Sequence, residues 1–239
     1  MVNVIKKTAY VLAWVLWLAF CYLLAQILIL VPFRYLPDDF SVNNTFMSFA
    51  ISALVYILAS ILLVGGPWMM RKRLKISEKV TEFIGLTRAI KLADFKKAIG
   101  AYLLYMLVLI GVMLAFAFFF PELSNQEQSL GFDKTGNNLW QLGLIFISLV
   151  IISPVFEELI MRGVLFGRLR LKISFWPVAL ITSILFAIAH GQINVAIDTF
   201  ILSLFLCGLR EKTGTIWAPI IVHMLKNFLG FLLVFVVVV

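Results

Sequence analysis

Apolar residues run along this chain in long blocks separated by short polar breaks. The blocks span Ala9–Val31, Phe46–Val64, Ala101–Phe120, Leu139–Arg168, Phe175–His190, Ile193–Leu209 and Ile216–Val238. Most approach or exceed the roughly 20 residues that an α-helix needs to cross a bilayer. The pattern predicts an all-α polytopic transmembrane helix bundle of about seven to eight helices. Lys6 and Lys7 precede the first block, but its length exceeds the roughly 7–15 apolar residues of a signal peptide. It reads as an uncleaved first span.

Between the second and third blocks lies RKRLKISEKVTEFIGLTRAIKLADFKKAIG. There Ile76, Val80, Phe83, Ile84, Ile90 and Phe95 recur at near-helical spacing among lysines. That spacing predicts an interfacial amphipathic helix within residues 71–98. The chain divides accordingly into residues 1–138, holding the first spans and this basic segment, a polar-dotted core at 139–230, and a last helix end at 231–239.

Composition confirms the class. Apolar residues make up 63% and charged residues 13% of the 239, which leaves too little polar surface for a soluble globule. The net charge of +8 does not point to nucleic acid, because the basic residues cluster beside spans. With the N-terminus inside, sixteen of the twenty lysines and arginines fall on cytoplasmic segments, nine of them between Arg71 and Lys97. The outer loops hold Arg34 and Lys134 among Asp38, Asp39, Glu122, Glu127 and Asp133. This asymmetry predicts a multi-pass plasma-membrane protein with a cytoplasmic N-terminus. Trp68, Trp140, Trp176 and Trp217 fall near span ends, where indoles favour the headgroup region. Cys21 and Cys207 sit inside apolar runs and read as free thiols.

Two basic residues, Arg162 and Lys226, remain inside spans, together with Glu157, Glu158, Asp198, His190 and His223. Ionisable groups at membrane depth are costly and face a cavity or one another. Here they are confined to the last hundred residues. In PVFEELIMR, Glu158 and Arg162 are four apart and share a helix face, whereas Glu157 is turned about 100° from Glu158. One carboxylate is therefore expected to be neutralised by Arg162 and the other left for chemistry. Pro154 and Gly163 flank the motif and permit a kink or a close helix approach.

FAIAH places Phe186 and His190 on one face, and HMLKN does the same for His223 and Asn227. Counted at ~1.5 Å rise per residue, Glu157, His223 and His190 lie about 20, 17 and 27 Å from the nearest cytoplasmic charge, so His190 fits a shared cavity least well. A carboxylate and an imidazole around one water can act as a general base. A neutral imidazole and an amide NH₂ can hold an oxyanion. Alternatively, Glu157, His190 and His223 form a two-histidine, one-carboxylate zinc set, and the spacing alone does not choose. Asp198 and Lys226 suggest either a structural bridge, which we favour, or a proton relay in a small transporter.

The ordered trio EELIMR, FAIAH and HMLKN resembles the CAAX protease and bacteriocin-processing (CPBP, or Abi) family of intramembrane proteases, including its type II CAAX prenyl endopeptidases. The likeness extends through Asn194 and GLREKTGTIWAPIIVH, from about Leu139 to Gly230. It implies that Glu157 activates water with help from His190. His223 and Asn227 would form the oxyanion hole, with Glu158, Arg162 and Phe186 in support. It implies no cofactor, with zinc the alternative. The expected activity is peptide hydrolysis in peptide or bacteriocin processing or self-immunity, with CAAX cleavage of prenylated proteins as the alternative. A non-catalytic immunity or sensor-binding scaffold of the same fold is the competing reading. The expected partners are a peptide or membrane-protein substrate, the lipid bilayer, and a sensor or exporter protein, with no nucleic acid.

Overall fold

The computed structural model describes residues 2–33, 35, 45–124 and 138–237. The expected outer-loop charges Arg34, Asp38, Asp39, Glu127, Asp133 and Lys134 lie outside these residues. The described residues are built from helices: α1 (Val2–Phe33), α2 (Thr45–Met69), α3 (Leu92–Phe119), α4 (Leu139–Arg170), α5 (Phe175–Ile188), α6 (Ile193–Thr213) and α7 (Trp217–Leu232), the last continued by a π-helical turn at Leu233–Val237. Six of them are long and apolar enough to cross a bilayer, and the chain is a membrane protein. The expected fifth span is shorter than the block that predicts it. Helix α5 has 14 residues, about 21 Å at the helical rise, and stops before His190.

Helix α4 lies at the centre of the bundle, and α2, α5, α6 and α7 all pack on it. Its apolar run is not one uniform α-helix. Two π-helical stretches, Ile147–Ile152 and Leu159–Phe166, flank the α-helical turn Ser153–Glu158. Pro154 opens that turn. Proline has no N–H to donate and crowds the preceding carbonyl, so the wider π turn before it relieves a clash that a regular helix would suffer.

The basic segment departs from expectation. It forms no continuous amphipathic helix, only single turns at Arg71–Leu74 and Val80–Phe83 before α3 begins. Lys75 adopts φ 54° and Gly85 φ 81°, left-handed conformations that stop a helix. Phe83, counted as a membrane-facing residue in the periodicity, is instead fully buried against α4, and the Arg168 guanidinium lies 4.4 Å from its ring centroid.

The segment is a clasp. Gly85 accepts hydrogen bonds at its carbonyl from Ile216 N (3.1 Å) and Thr215 Oγ1 (3.2 Å). Thr87 Oγ1 donates to Gly214 O, and Trp217 Nε1 donates to Arg88 O. The Ile84 carbonyl presses so closely on Gly163 of α4 that a Cβ there would lie 2.2 Å from its oxygen. Gly163 thus serves a close approach of backbone to helix. Arg88 and Asp94 close the segment with a two-pronged ion pair, both bonds 2.7 Å, and Arg168 pairs with Glu78.

Candidate active site

The three motif helices converge. Glu158 and Arg162 pair at 2.8 Å with neither side chain exposed, as their spacing on one face predicts. The pair has a third member: His223 Nδ1 lies 2.9 Å from the same Glu158 Oε1. Because an ionised carboxylate only accepts, Nδ1 carries a proton and donates. The other nitrogen, Nε2, points toward Glu157 and stands 3.7 Å from its Oε2. That gap is too long for a direct hydrogen bond and suits a bridging water.

Phe186 sits between these groups. The Arg162 guanidinium lies 4.6 Å from its ring centroid, and the rings of His190 and His223 make T-shaped contacts with it at 4.8 and 5.7 Å between centroids. A desolvated cation over an aromatic face is held by the ring quadrupole. The buried charge therefore rests on both a carboxylate and a π face.

His190 lies just past the end of α5, in a turn closed by Gly191 at φ 74°. Its Nδ1 is 2.8 Å from the Phe186 carbonyl, so that nitrogen bears the proton and Nε2 of the neutral ring is an acceptor. The short α5 ends before His190, and the ring nonetheless borders the same cavities as Glu157.

Glu157 is turned away from Glu158 and has its own partner, Tyr56 of α2. The tyrosine hydroxyl donates to Oε1 at 2.6 Å, and its ring stacks on Phe156 at 6.2 Å with 14° between planes. Glu157 Oε2 is buried and has no hydrogen-bond partner among the described residues. Tyr56 was not among the residues expected from the motifs. A signal for it was nevertheless in the sequence: Ser48, Ser52, Tyr56 and Ser60 recur every fourth residue of an otherwise apolar span, marking one polar face.

Two cavities meet at this point. One, of about 300 Å³, is lined by polar groups that include Ser52, Ser153, Thr199, His223, Lys226 and Asn227. The other, of about 390 Å³, is apolar and runs between α1, α2, α4 and α5 past Leu18, Tyr22, Ile160, Met161 and Leu185. Tyr56, Glu157 and His190 line both.

Some expectations change on contact with this geometry. Asn227 donates from Nδ2 to the Leu149 carbonyl at 2.8 Å, so one of its two amide protons is already committed to α4. His223, expected to donate as a neutral ring, spends its Nδ1 proton on Glu158; it donates into the cavity only when both nitrogens carry protons. Among the described residues no three His, Cys, Asp or Glu side chains come together as a metal site. The intramembrane Asp198 and Lys226 pair at 3.2 Å, with the Tyr105 hydroxyl also bonded to Asp198. This is the expected bridge, although Lys226 also borders the polar cavity.

Comparison with known proteins points to the same part of the chain. Over 84 residues it is 32% identical to a Bacillus subtilis (strain 168) protein named "Putative membrane peptidase YdiL", covering 35% of this chain and 34% of that protein. Over 96 residues it is 33% identical to an "Uncharacterized 24.3 kDa protein" of Escherichia coli, covering 37% of this chain and 43% of the relative. The aligned regions thus span between a third and a half of these relatives' lengths. No solved structure matches the chain significantly. Residues 139–229, which contain every residue of the three motifs, match the family described as Type II CAAX prenyl endopeptidase Rce1-like.

Proposed function

We propose that this protein is an intramembrane endopeptidase in which Glu157 activates water to hydrolyse a peptide bond. The observation that carries the reading is the unpartnered Glu157 Oε2. It is buried at the junction of the two cavities, 3.7 Å from His223 Nε2, and His190 borders the same space. A water held there has a carboxylate oxygen to take its proton and the acceptor Nε2 of His190 to orient it. Its oxygen attacks the scissile carbonyl carbon, the proton passes to Oε2, and the carbonyl π pair moves onto oxygen. Doubly protonated His223 and the remaining Asn227 proton donate to that oxyanion. Collapse breaks the C–N bond, and Glu157 returns the proton to the leaving amine, giving one new carboxyl and one new amino terminus.

Glu158, Arg162 and Phe186 act through His223 by fixing its ring. The proposed steps use no metal. The N-terminus is placed on the cytoplasmic side, since the basic clasp and the basic ends of α4 and α6 then meet the anionic leaflet.

Substrates of this site are small peptides or membrane-associated proteins, in peptide or bacteriocin processing or self-immunity. The apolar cavity beside Glu157 favours a second reading, cleavage next to a lipidated residue as in CAAX processing, because it can bury a long hydrocarbon group at the scissile bond. A panel of hydrophobic peptides with and without a prenylated cysteine separates the two.

The decisive experiment compares Glu157→Gln and His190→Ala with the parent protein in cleavage and biological assays. Both are expected to abolish cleavage while expression and thermal stability stay near the parent's. Full biological activity in both variants would replace the enzyme with a non-catalytic scaffold. Activity surviving exhaustive chelation is expected; its loss, restored by zinc, would sink the metal-free scheme.

A further inference from the structure

Tyr56 lies outside the matched segment, on a helix that carries none of the three motifs. We infer that it is a positioning residue for the proposed hydrolysis: its hydroxyl fixes Glu157 through Oε1 and thereby dedicates Oε2 to the attacking water. The inference rests on the glutamate-activated reading above and adds to it a residue and an atom assignment.

The geometry is specific. A 2.6 Å O–H···O contact to Glu157 Oε1 falls in the range of charge-assisted hydrogen bonds, which are about twice as strong as neutral ones. A glutamate side chain has three rotatable bonds, and beside two cavities it has room to turn into either. Tyr56 removes that freedom because it is itself held. Its ring stacks on Phe156, the residue before Glu157, and α2 packs along the same turn of α4. Only Tyr56, Glu157 and His190 border both cavities among their lining residues. Tyr56 is therefore part of the wall between polar and apolar space, at the place where the carboxylate must be aimed.

The arrangement suits both halves of the reaction. While Glu157 is a carboxylate, Oε1 accepts from Tyr56 and the buried Oε2 has no described partner, leaving it for the water. Once Oε2 has taken the proton, Oε1 is a carbonyl oxygen and still accepts from the same hydroxyl. Tyr56 does not have to move between the two states, so the group is preorganised through the proton transfer. His223 approaches from the Oε2 side, and no described group competes with Tyr56 for Oε1.

The test is Tyr56→Phe, which keeps the ring and its stacking and removes only the hydroxyl. We expect kcat to fall roughly 10- to 100-fold, the size of one lost hydrogen bond to a charged group, with KM changed by less than about twofold. A ring serving only as cavity wall would leave kcat intact. Infrared difference spectra supply a readout that needs no turnover. The carboxylate bands missing in Glu157→Gln belong to Glu157, and these bands are expected to shift in Tyr56→Phe. Unshifted bands, or an unchanged kcat where Glu157→Gln is inactive, would overturn the inference. If Glu157→Gln remains active, the protease reading falls, and the infrared bands still decide whether Tyr56 holds Glu157.

Discussion

Helices α1 and α3 contrast with α4. In the most apolar window of each, 11% of the residues of α1 and of α3 are buried in the protein, against 44% in α4. The outer helices present leucines and phenylalanines to lipid, where the surroundings ask only that a side chain be apolar. Helix α4 is surrounded by protein, carries a buried ion pair, and breaks its own hydrogen-bond pattern twice. A lipid-facing helix therefore tolerates many sequences, while a central one answers to each neighbour separately.

Substitutions test this contrast, beginning with the most severe. Glu157→Gln removes the proposed base and is expected to lower kcat by about 10²- to 10⁴-fold at unchanged stability, read in a peptide-cleavage assay. Arg162→Leu strands the fully buried Glu158 without its countercharge, a loss of roughly 3–5 kcal/mol that thermal unfolding in detergent would register. Replacing Glu158 by Gln together with Arg162→Leu should recover much of that stability but not activity, because His223 loses its anchor.

Gly163→Ala sets a methyl group against the backbone oxygen of Ile84 and is expected to cost about 1–3 kcal/mol. Limited proteolysis between Arg71 and Lys97 should then speed up as the clasp loosens. At the other extreme, Leu107→Val on the exposed face of α3 should change stability by less than about 0.5 kcal/mol. A large effect there would mean that α3 is covered by a partner and would break the contrast.

The helical fold was legible because membrane crossing demands uninterrupted apolar length, and length is a property of sequence alone. The Glu158–Arg162 pair was legible for a related reason: residues four apart share a face whatever lies around the helix. The same rule, applied to Ser48, Ser52, Tyr56 and Ser60, marks the face of α2 that reaches Glu157, although tyrosine does not stand out in a count of charged residues. The basic segment was misread because periodicity registers which residues are apolar and not what buries them. Phe83 and Ile84 are apolar at helical spacing, yet they are covered by α4 rather than by lipid. The end of α5 was misjudged because a run of apolar residues does not disclose where its helix stops.

By itself the sequence determined that the chain lies in a membrane, that its ionisable groups gather in the last four helices, and that Glu157 and Glu158 point in different directions. These follow from local geometry and from the cost of charge in hydrocarbon. Only the tertiary structure decided that His223 leans on Glu158, that Tyr56 takes one oxygen of Glu157, and that Gly85 and Gly163 bring the basic segment onto α4. Each of these is a contact between residues far apart in the chain, and such contacts depend on how helices of known length choose to pack.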